Sequence, residues 1–155
     1  VEQEKEMTIN TNLDYFQTKK YRYTLLDCPG HKDFLRNAIL GASQADVCVL
    51  VVSAVWEEFE EGMSPLGETK EHALVAYVSG ARRMIVAVNK MDHPEVNFSQ
   101  ARYDEICAQV TKHLCNLGYD LDRIETLPIS ALTGYNLFER GSADPTMKGN
   151  ALAAW

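Results

Sequence analysis

Two apolar runs constrain the fold of this chain more than any other feature. The segment from Cys48 to Val52 reads Cys-Val-Leu-Val-Val, and residues 84–88 read Met-Ile-Val-Ala-Val. Neither run shows the polar alternation of a strand with one wet face, so each fits a strand covered on both faces. We therefore predict strands at about Val47–Ala54 and Arg83–Val88 within a mostly parallel α/β sheet.

The rest of the pattern alternates strands with helices. An alternating strand at about Thr8–Phe16 is expected to pair with Tyr21–Leu26 through a turn around Thr18-Lys19-Lys20. Further elements are predicted at about Asp33–Ser43 (helix), Glu68–Ser79 (helix, beginning near Gly67), Ser99–Leu117 (helix, capped by Ser99 and Gly118), Glu125–Ile129 (strand) and Gly149–Trp155 (a helical turn or two). This order predicts one α/β domain with a leading antiparallel hairpin.

Composition excludes several classes of protein. The chain has 155 residues, of which 46% are hydrophobic and 24% charged, as in globular domains. Its formal charge of −7 argues against a basic nucleic-acid surface, and the run Glu57–Glu61 reads as a solvated acidic loop. No apolar stretch approaches the ~18 residues of a membrane span, and no secretory leader is visible. Four cysteines without C-x-x-C spacing suggest a reduced, cytoplasmic setting, and the histidines show no metal-ligand spacing.

The second apolar strand runs directly into Asn89-Lys90-Met91-Asp92. At the carboxyl end of a parallel strand, an Asp carboxylate can accept hydrogen bonds from the ring N–H and the amino group of guanine together. Adenine lacks that pair of donors and would leave the carboxylate unpaired, which is a strong basis for discrimination. Asn89 and the stem of Lys90 would brace the loop and the ring. Alone, these four residues are also ordinary turn residues.

A second motif, Asp27-Cys28-Pro29-Gly30-His31, follows the predicted strand Tyr21–Leu26. Asp27 at a strand end can hold Mg²⁺ through water, and Gly30 lets a backbone N–H approach a terminal phosphate closely. Pro29 fixes part of the turn, and His31 would lie beside an attacking water. Each motif alone could be a plain turn, but the two in this order, each after an apolar strand, predict a nucleotide site.

Two weaker signals agree with this interpretation. The loop Ser130-Ala131-Leu132 follows another short apolar run and could offer a backbone N–H to the guanine oxygen. Thr8, just before a predicted strand, could close over Mg²⁺ and the γ-phosphate. A short Ser-Ala turn and a β-branched strand residue are the plain alternatives for these two sites.

Taken together, these residues resemble the G domain of translational GTPases, specifically the elongation factor 1-alpha group, which includes release-factor and ribosome-rescue GTPases. The stretches that carry the resemblance are Asp27–Phe34, Gly41–Asp46, Glu58–Gly62, Glu68–Leu74 and Asn89–Asp92. The resemblance implies that Thr8 is the switch I threonine, that Asp27 and Gly30 sense phosphate in switch II, and that His31 orients the hydrolytic water. It further implies that Asn89, Lys90 and Asp92 hold guanine, with Ser130 and Ala131 closing over it.

The same resemblance implies a fold and an activity. It implies a Ras-like P-loop NTPase fold that binds GTP or GDP with Mg²⁺ and hydrolyses GTP. The complete protein would couple hydrolysis to delivery of aminoacyl-tRNA to the ribosome, with a guanine-nucleotide exchange factor as a further partner. The alternatives are the release-factor or ribosome-rescue branch, toward which Ser-Ala-Leu-Thr-Gly at 130–134 points, and a non-catalytic interaction module.

Some positions depart from the family pattern. Lys5-Glu6-Met7-Thr8 stands where Arg-Gly-Ile-Thr is usual, and Cys28 where Ala is usual. No G-x-x-x-x-G-K-[ST] occurs in the sequence. This motif cradles the phosphates in such folds. We therefore expect residues 1–155 to be a partial G domain, from the end of switch I to the last helix, without its P-loop segment and C-terminal β-barrel domains.

This expectation has a structural consequence. In the family, the first strand is central and lies between the strands predicted here at Tyr21–Leu26 and Val47–Ala54. Without it, two rows of backbone groups stay unpaired. We expect a chain of low stability that needs a partner segment or self-associates through these strands, and that alone binds nucleotide weakly with negligible turnover.

Overall fold

A computed structural model describes residues 12–29, 39 and 43–137. In these ranges the elements are β1 (Asn12–Gln17), β2 (Arg22–Asp27), β3 (Val47–Ser53), α1 (Trp56–Gly62), α2 (Glu68–Val78), β4 (Arg83–Asn89), α3 (Gln100–Leu117), a 3-10 helix (Leu121–Arg123) and β5 (Ile124–Pro128). The helices predicted near 33–43 and 149–155 lie outside the described residues, apart from positions 39 and 43.

β3, β4 and β5 form a parallel sheet with β4 in the centre. Val47 pairs with Arg83 at one end of the β3–β4 ladder and Ser53 with Asn89 at the other. β5 pairs with the opposite edge of β4, beginning with Met84 opposite Ile124. The predicted parallel α/β arrangement is therefore confirmed, and the carboxyl ends of all three strands lie at one edge.

The leading hairpin is also confirmed. β1 and β2 pair antiparallel, with Asn12 opposite Asp27 and Gln17 opposite Arg22. The Thr18 hydroxyl closes the turn, because it accepts a hydrogen bond from the Tyr21 N–H at 3.1 Å. Within the described residues the hairpin is a sheet of its own, with no strand pairing to β3.

The core lies between the parallel sheet and helices α1, α2 and α3. Its largest fully buried side chains include Met84, Met91, Ile106 and Leu114. β4 is covered on both faces, since residues 84–88 are all buried. For β3 that expectation was wrong, because alternate side chains, Val49 and Val51 among them, are exposed. Hydrophobic periodicity reports what a strand can bury, and the neighbours decide whether both faces are covered.

The sequence suggested that the acidic run Glu57–Glu61 is a loop. This was wrong, because the run lies in helix α1. Phe59 is 2% exposed in the core and anchors this helix. The four glutamates around it are exposed to solvent. Glu57 and Glu58 fall in the first turn, where negative charge favours the helix macrodipole. Among so many acidic residues, nothing in the sequence indicated that the single side chain of Phe59 packs this short helix against the core.

The predicted limits of α3 are confirmed at both ends. The Ser99 hydroxyl accepts a hydrogen bond from the Arg102 N–H at 3.3 Å, as an N-cap does. Gly118 ends the helix in the left-handed conformation, with φ of 114°. No helix in the described ranges is long and apolar enough to cross a membrane.

Candidate nucleotide-binding site

The candidate site lies at the carboxyl edge of the parallel sheet, where three strands end side by side. Beyond the last ladder pair, the Ala54 N–H donates to the Asn89 carbonyl at 2.9 Å. On the other side, the Ile129 N–H donates to the Val88 carbonyl at 2.8 Å. Backbone pairing therefore fixes the start of each loop, and ligands of open α/β sheets bind at this edge.

Asn89 links the two loops that the sequence assigned to the base. Its side-chain oxygen accepts a hydrogen bond from the Ala131 N–H at 3.0 Å, across 42 positions of the chain. The Met91 N–H donates to the Ile129 carbonyl at 3.3 Å beside it. The structure thus brings together the Asn89–Asp92 and Ser130–Leu132 segments, which the sequence analysis had assigned to the same base.

Lys90 forms an ion pair with a residue to which the sequence analysis assigned no role in the site. Its ammonium lies 2.7 and 2.6 Å from the two carboxylate oxygens of Glu58 in α1. The Lys90 hydrogen bond lowers the pKa of the Glu58 carboxyl, and a hydrogen bond from Ser53 lowers it further. Lys90 also has a positive φ of 62°, in the left-handed region that residues other than glycine rarely adopt.

Asp92 is half-buried one residue beyond the core side chain Met91. No other residue in the described ranges forms a hydrogen bond or ion pair with its carboxylate. A half-buried carboxylate without a protein partner is suited to accept hydrogen bonds from a ligand. The loop behind it is fixed by backbone hydrogen bonds, including His93 N–H to the Lys90 carbonyl at 3.0 Å and Phe98 N–H to the Met91 carbonyl at 2.8 Å.

The second loop is a small hairpin closed at its base. Ser130 is fully buried and forms an antiparallel bridge with Tyr135. The Ser130 hydroxyl accepts a hydrogen bond from the Thr133 N–H at 3.1 Å, which tightens the turn. Leu132 lies at the tip and is 88% exposed. The fixed stem and exposed tip match a loop that could cover a flat ring.

Of the residues assigned to phosphate and metal, only some lie within the described part of the chain. Asp27 ends β2 and is exposed, whereas Pro29 is buried. Burial raises the pKa of the Cys48 thiol in β3, and the Cys28 thiol raises it further. Thr8, Gly30 and His31 lie outside the described residues.

The described part of the chain offers few ligands for a metal ion. The described residues contain no group of three or more His, Cys, Asp or Glu side chains that could hold one. A single exposed carboxylate such as Asp27 fits Mg²⁺ only where phosphate oxygens and water supply the remaining ligands, which is the usual way that Mg²⁺ binds with a nucleotide. The four cysteines are free thiols.

Comparison with known proteins gives the family. The Elongation factor Tu GTP binding domain family matches residues 1–144, and the chain belongs to it. Elongation factor 1-alpha of Desulfurococcus mucosus is 50% identical over 151 residues, which cover 97% of this chain and 34% of that protein. The protein of the same name from Aeropyrum pernix is 48% identical, with 97% and 35% covered. The chain therefore spans about a third of the length of these curated relatives.

Solved structures agree with this assignment. The crystal structure of sup35 complexed with GDP is 36% identical, with a TM-score of 0.75 over 91% of this chain and 33% of that one. The Ski7 GTPase-like domain of S. cerevisiae, bound to GDP and inorganic phosphate, has a TM-score of 0.82 at 20% identity and supports the fold alone. The GTPase family and the α/β fold predicted from the sequence are thus both confirmed.

Three residues of the site escaped sequence analysis. Glu58 was hidden in an acidic run, and Phe98 and Tyr135 read as ordinary hydrophobic residues. Phe98 and Tyr135 meet ring to ring across the two loops, with centroids 4.8 Å apart. Glu58 is 32 positions from Lys90, and Phe98 is 37 positions from Tyr135. Local sequence patterns do not extend over such separations, so a single sequence could not show that these residues are in contact.

Proposed function

We propose that this chain is the base-reading part of a guanine-nucleotide site in a translation elongation factor of the elongation factor 1-alpha type. The observation that carries the proposal is the hydrogen bond from the Ala131 N–H to the Asn89 side chain. This bond joins the two loops, and Asp92, three residues after Asn89, is half-buried.

In this proposal Asp92 accepts two hydrogen bonds from guanine, and Asn89 holds the opposing loop in register. Lys90, fixed by Glu58, lays its aliphatic stem along the ring. Ser130, Ala131 and Leu132 cover the other side of the ring, with a backbone N–H near the guanine oxygen. The half-buried carboxylate gives specificity because adenine would leave it without donors.

The phosphate end of the site completes the proposal. Asp27 would hold Mg²⁺ through water, Thr8 would supply a further oxygen, and the Cys28-Pro29-Gly30 turn would approach the terminal phosphate. Mg²⁺, when bound, neutralises charge on the phosphates during their transfer. His31 would orient the attacking water for GTP hydrolysis.

The relatives support the proposed setting. Identities of 48–50% with elongation factor 1-alpha proteins, against 36% with sup35, favour the elongation factor over the alternative branches. The complete protein would hydrolyse GTP in the cytoplasm while it delivers aminoacyl-tRNA to the ribosome, and an exchange factor would reload it. With a formal charge of −7, this part of the protein would leave RNA contacts to local patches or to other segments.

Calorimetric titration with GDP and with ATP in the presence of Mg²⁺ tests the proposal. We expect weak binding, because these 155 residues contain no P-loop motif, but a preference for GDP of about 100-fold or more. Equal binding of GDP and ATP, or binding of neither up to millimolar concentration, would contradict a base-reading role.

A variant of Asp92 sharpens this test. Asp92→Asn replaces one of the two acceptor oxygens of the carboxylate by an amide NH2 donor. Xanthine carries an acceptor oxygen where guanine carries its amino group. The variant is therefore expected to lose GDP binding and to gain xanthosine diphosphate binding. Asp122→Asn, at an exposed position in the 3-10 helix, is the matched control and should keep the preference for GDP.

A further inference from the structure

The two loops of the candidate site are joined a second time, by an aromatic contact away from the Asn89–Ala131 hydrogen bond. The rings of Phe98 and Tyr135 are 4.8 Å apart between centroids and are inclined at 63°. This edge-to-face geometry is favourable for aromatic pairs. Phe98 follows the loop that carries Asp92. Tyr135 forms a bridge with Ser130 at the base of the loop of residues 130–135, which we call the covering loop.

The backbone at Phe98 is strained. Asn97 and Phe98 have positive φ values of 44° and 52°, which bulky side chains rarely adopt. Such a conformation persists only where its surroundings determine it strongly. Here the Phe98 N–H donates to the Met91 carbonyl at 2.8 Å, and the ring packs against the core as well as on Tyr135. The strained turn therefore aims the Phe98 ring at the covering loop.

Tyr135 connects the Phe98 ring to the loop that carries the Ala131 N–H, because its backbone is hydrogen-bonded to both Ser130 and Thr133. Its carbonyl accepts the Ser130 N–H at 3.2 Å, and its own N–H donates to the Thr133 hydroxyl at 3.4 Å. Between these anchors lie the Ala131 N–H and the exposed tip at Leu132. Holding the Tyr135 ring holds the stem of the hairpin, and the stem sets where the Ala131 N–H lies.

We propose that Phe98 and Tyr135 are positioning residues that hold the covering loop over the base site, so that breaking their ring contact weakens nucleotide binding without changing which base is read. This inference rests on the proposed function, because it assigns the two rings a role in that same site. Neither ring is required to touch the nucleotide. The pair acts by lowering the conformational freedom that the covering loop must lose on binding.

The test combines Phe98→Leu, Tyr135→Leu and the double variant in one cycle. The first readout is the hydrogen-exchange rate of the Ala131 amide in the nucleotide-free chain, measured by NMR. We expect each single variant to speed exchange about threefold to tenfold, in line with the strength of an aromatic pair. The double variant should add little to either single variant, because both break the same contact.

The second readout is the dissociation constant for GDP and for inosine diphosphate, which lacks the amino group. Both constants should rise by the same factor of about threefold to tenfold in each variant, so that their ratio stays as in the unmodified chain. A shifted ratio would mean that the rings shape base reading directly, and would overturn a positioning role.

A matched control separates this role from general stability. Tyr77 and Tyr119 form a similar edge-to-face pair, with centroids 5.2 Å apart, between α2 and the segment after α3. Tyr77→Leu should lower the melting temperature and leave Ala131 exchange and GDP affinity unchanged. If Tyr77→Leu has the same effects as Phe98→Leu, or if the cycle is additive, the inference is wrong.

The two readouts also keep this inference apart from the proposed function. If the unmodified chain binds no guanine nucleotide, the proposed function fails on that result alone. The exchange cycle still decides whether the rings hold the loop: unchanged Ala131 exchange in Phe98→Leu would overturn the positioning role whatever the nucleotide result.

Discussion

The ion pair between Glu58 and Lys90 allows a direct test at the scale of single residues. Hydrogen bonds from Lys90 and Ser53 lower the pKa of Glu58 below its ordinary value of 4.5. As the pH falls, the Glu58 carboxyl is therefore protonated at a higher pH in the unfolded chain than in the folded chain. The contribution of the pair to stability is present above pH 4.5 and is lost as the pH falls through the lowered pKa.

We predict that Lys90→Met raises the pKa of Glu58 toward its ordinary value, because the largest cause of the shift is removed. Titration of the side-chain carboxyl by ¹³C NMR measures this. Lys112→Met, on the exposed face of α3, is the control and should leave the Glu58 pKa unchanged. An unchanged Glu58 titration in Lys90→Met would show that the contact does not persist in solution.

Arg102 supports the same edge of the sheet from within the core, where it is only 4% exposed. Its Nε–H donates to the Ala54 carbonyl at 3.1 Å, and its guanidinium lies over the Trp56 ring at 3.6 Å from the centroid. A second nitrogen pairs with Glu105 at 2.9 Å. One planar group thus ties the end of β3, the start of α1 and the first turn of α3 together.

Arg102→Lys is expected to lower the free energy of unfolding by about 2–3 kcal/mol. An ammonium cannot stack on the ring and serve both acceptors, and it would stay buried with fewer partners. Urea denaturation measures the change. Arg123→Lys at an exposed ion pair should change stability by less than about 0.5 kcal/mol, and a similar loss in both variants would contradict this account.

At the scale of the element, the end of α3 depends on one glycine. Gly118 has φ of 114°, and a Cβ added there would overlap the Tyr77 hydroxyl and ring. Gly118→Ala should therefore cost backbone strain and a steric clash, about 2 kcal/mol in the free energy of unfolding. The clash also moves Tyr77, which packs on Tyr119.

Gly80 provides the matched control for this prediction. It also has a positive φ, 98°, but an added Cβ would meet no atom within 4 Å. Gly80→Ala should therefore cost only the backbone strain, about 1 kcal/mol. Urea denaturation of both variants isolates the clash as the difference, and equal losses would place the whole effect in the backbone.

The elements also show how far sequence patterns reach. The limits of α3 could be predicted because Ser99 and Gly118 act locally, within one turn of the helix. α1 could not be predicted, because its helix rests on one buried side chain, Phe59, among exposed glutamates. Burial of Phe59 depends on the sheet and on the other helices, which local patterns do not describe.

At the scale of the whole molecule, two apolar surfaces stand out. On β3, Val49 is 50% and Val51 is 58% exposed, and on the hairpin Tyr15 is 67% exposed. In the described part of the chain, β3 pairs on one side alone, with β4. Exposed apolar strands with an open edge favour association between chains.

We predict that this chain self-associates at micromolar concentration and that Val49→Thr with Val51→Thr reduces the association. Threonine keeps the β-branched shape of valine, so the strand itself should be retained. Sedimentation velocity at several concentrations measures the effect, and Leu66→Thr, at an 88% exposed position outside the strands, is the control. A chain that stays monomeric, or a double variant that associates as strongly as the unmodified chain, would refute the prediction.

The candidate site divides between what the sequence could predict and what it could not. Asn89, Lys90 and Asp92 could be proposed from the sequence because they directly follow a predicted strand, and their role in reading guanine stays a prediction. Glu58 and Tyr135 could not, since they reach the site from elements far away in the chain. The sequence could suggest the ligand, whereas the supporting contacts become visible only when the strands are assembled.

By itself the sequence determined the α/β class, the strand order along the chain and the caps of α3, and it predicted a role for the Asn89–Asp92 loop. Each of these follows from interactions between residues close in the chain, which spacing records. Tertiary structure alone decided that one face of β3 is exposed, that Glu58 binds Lys90, and that Phe98 meets Tyr135. These depend on which distant segments share a surface, and burial and ring geometry are properties of that packing rather than of any local pattern.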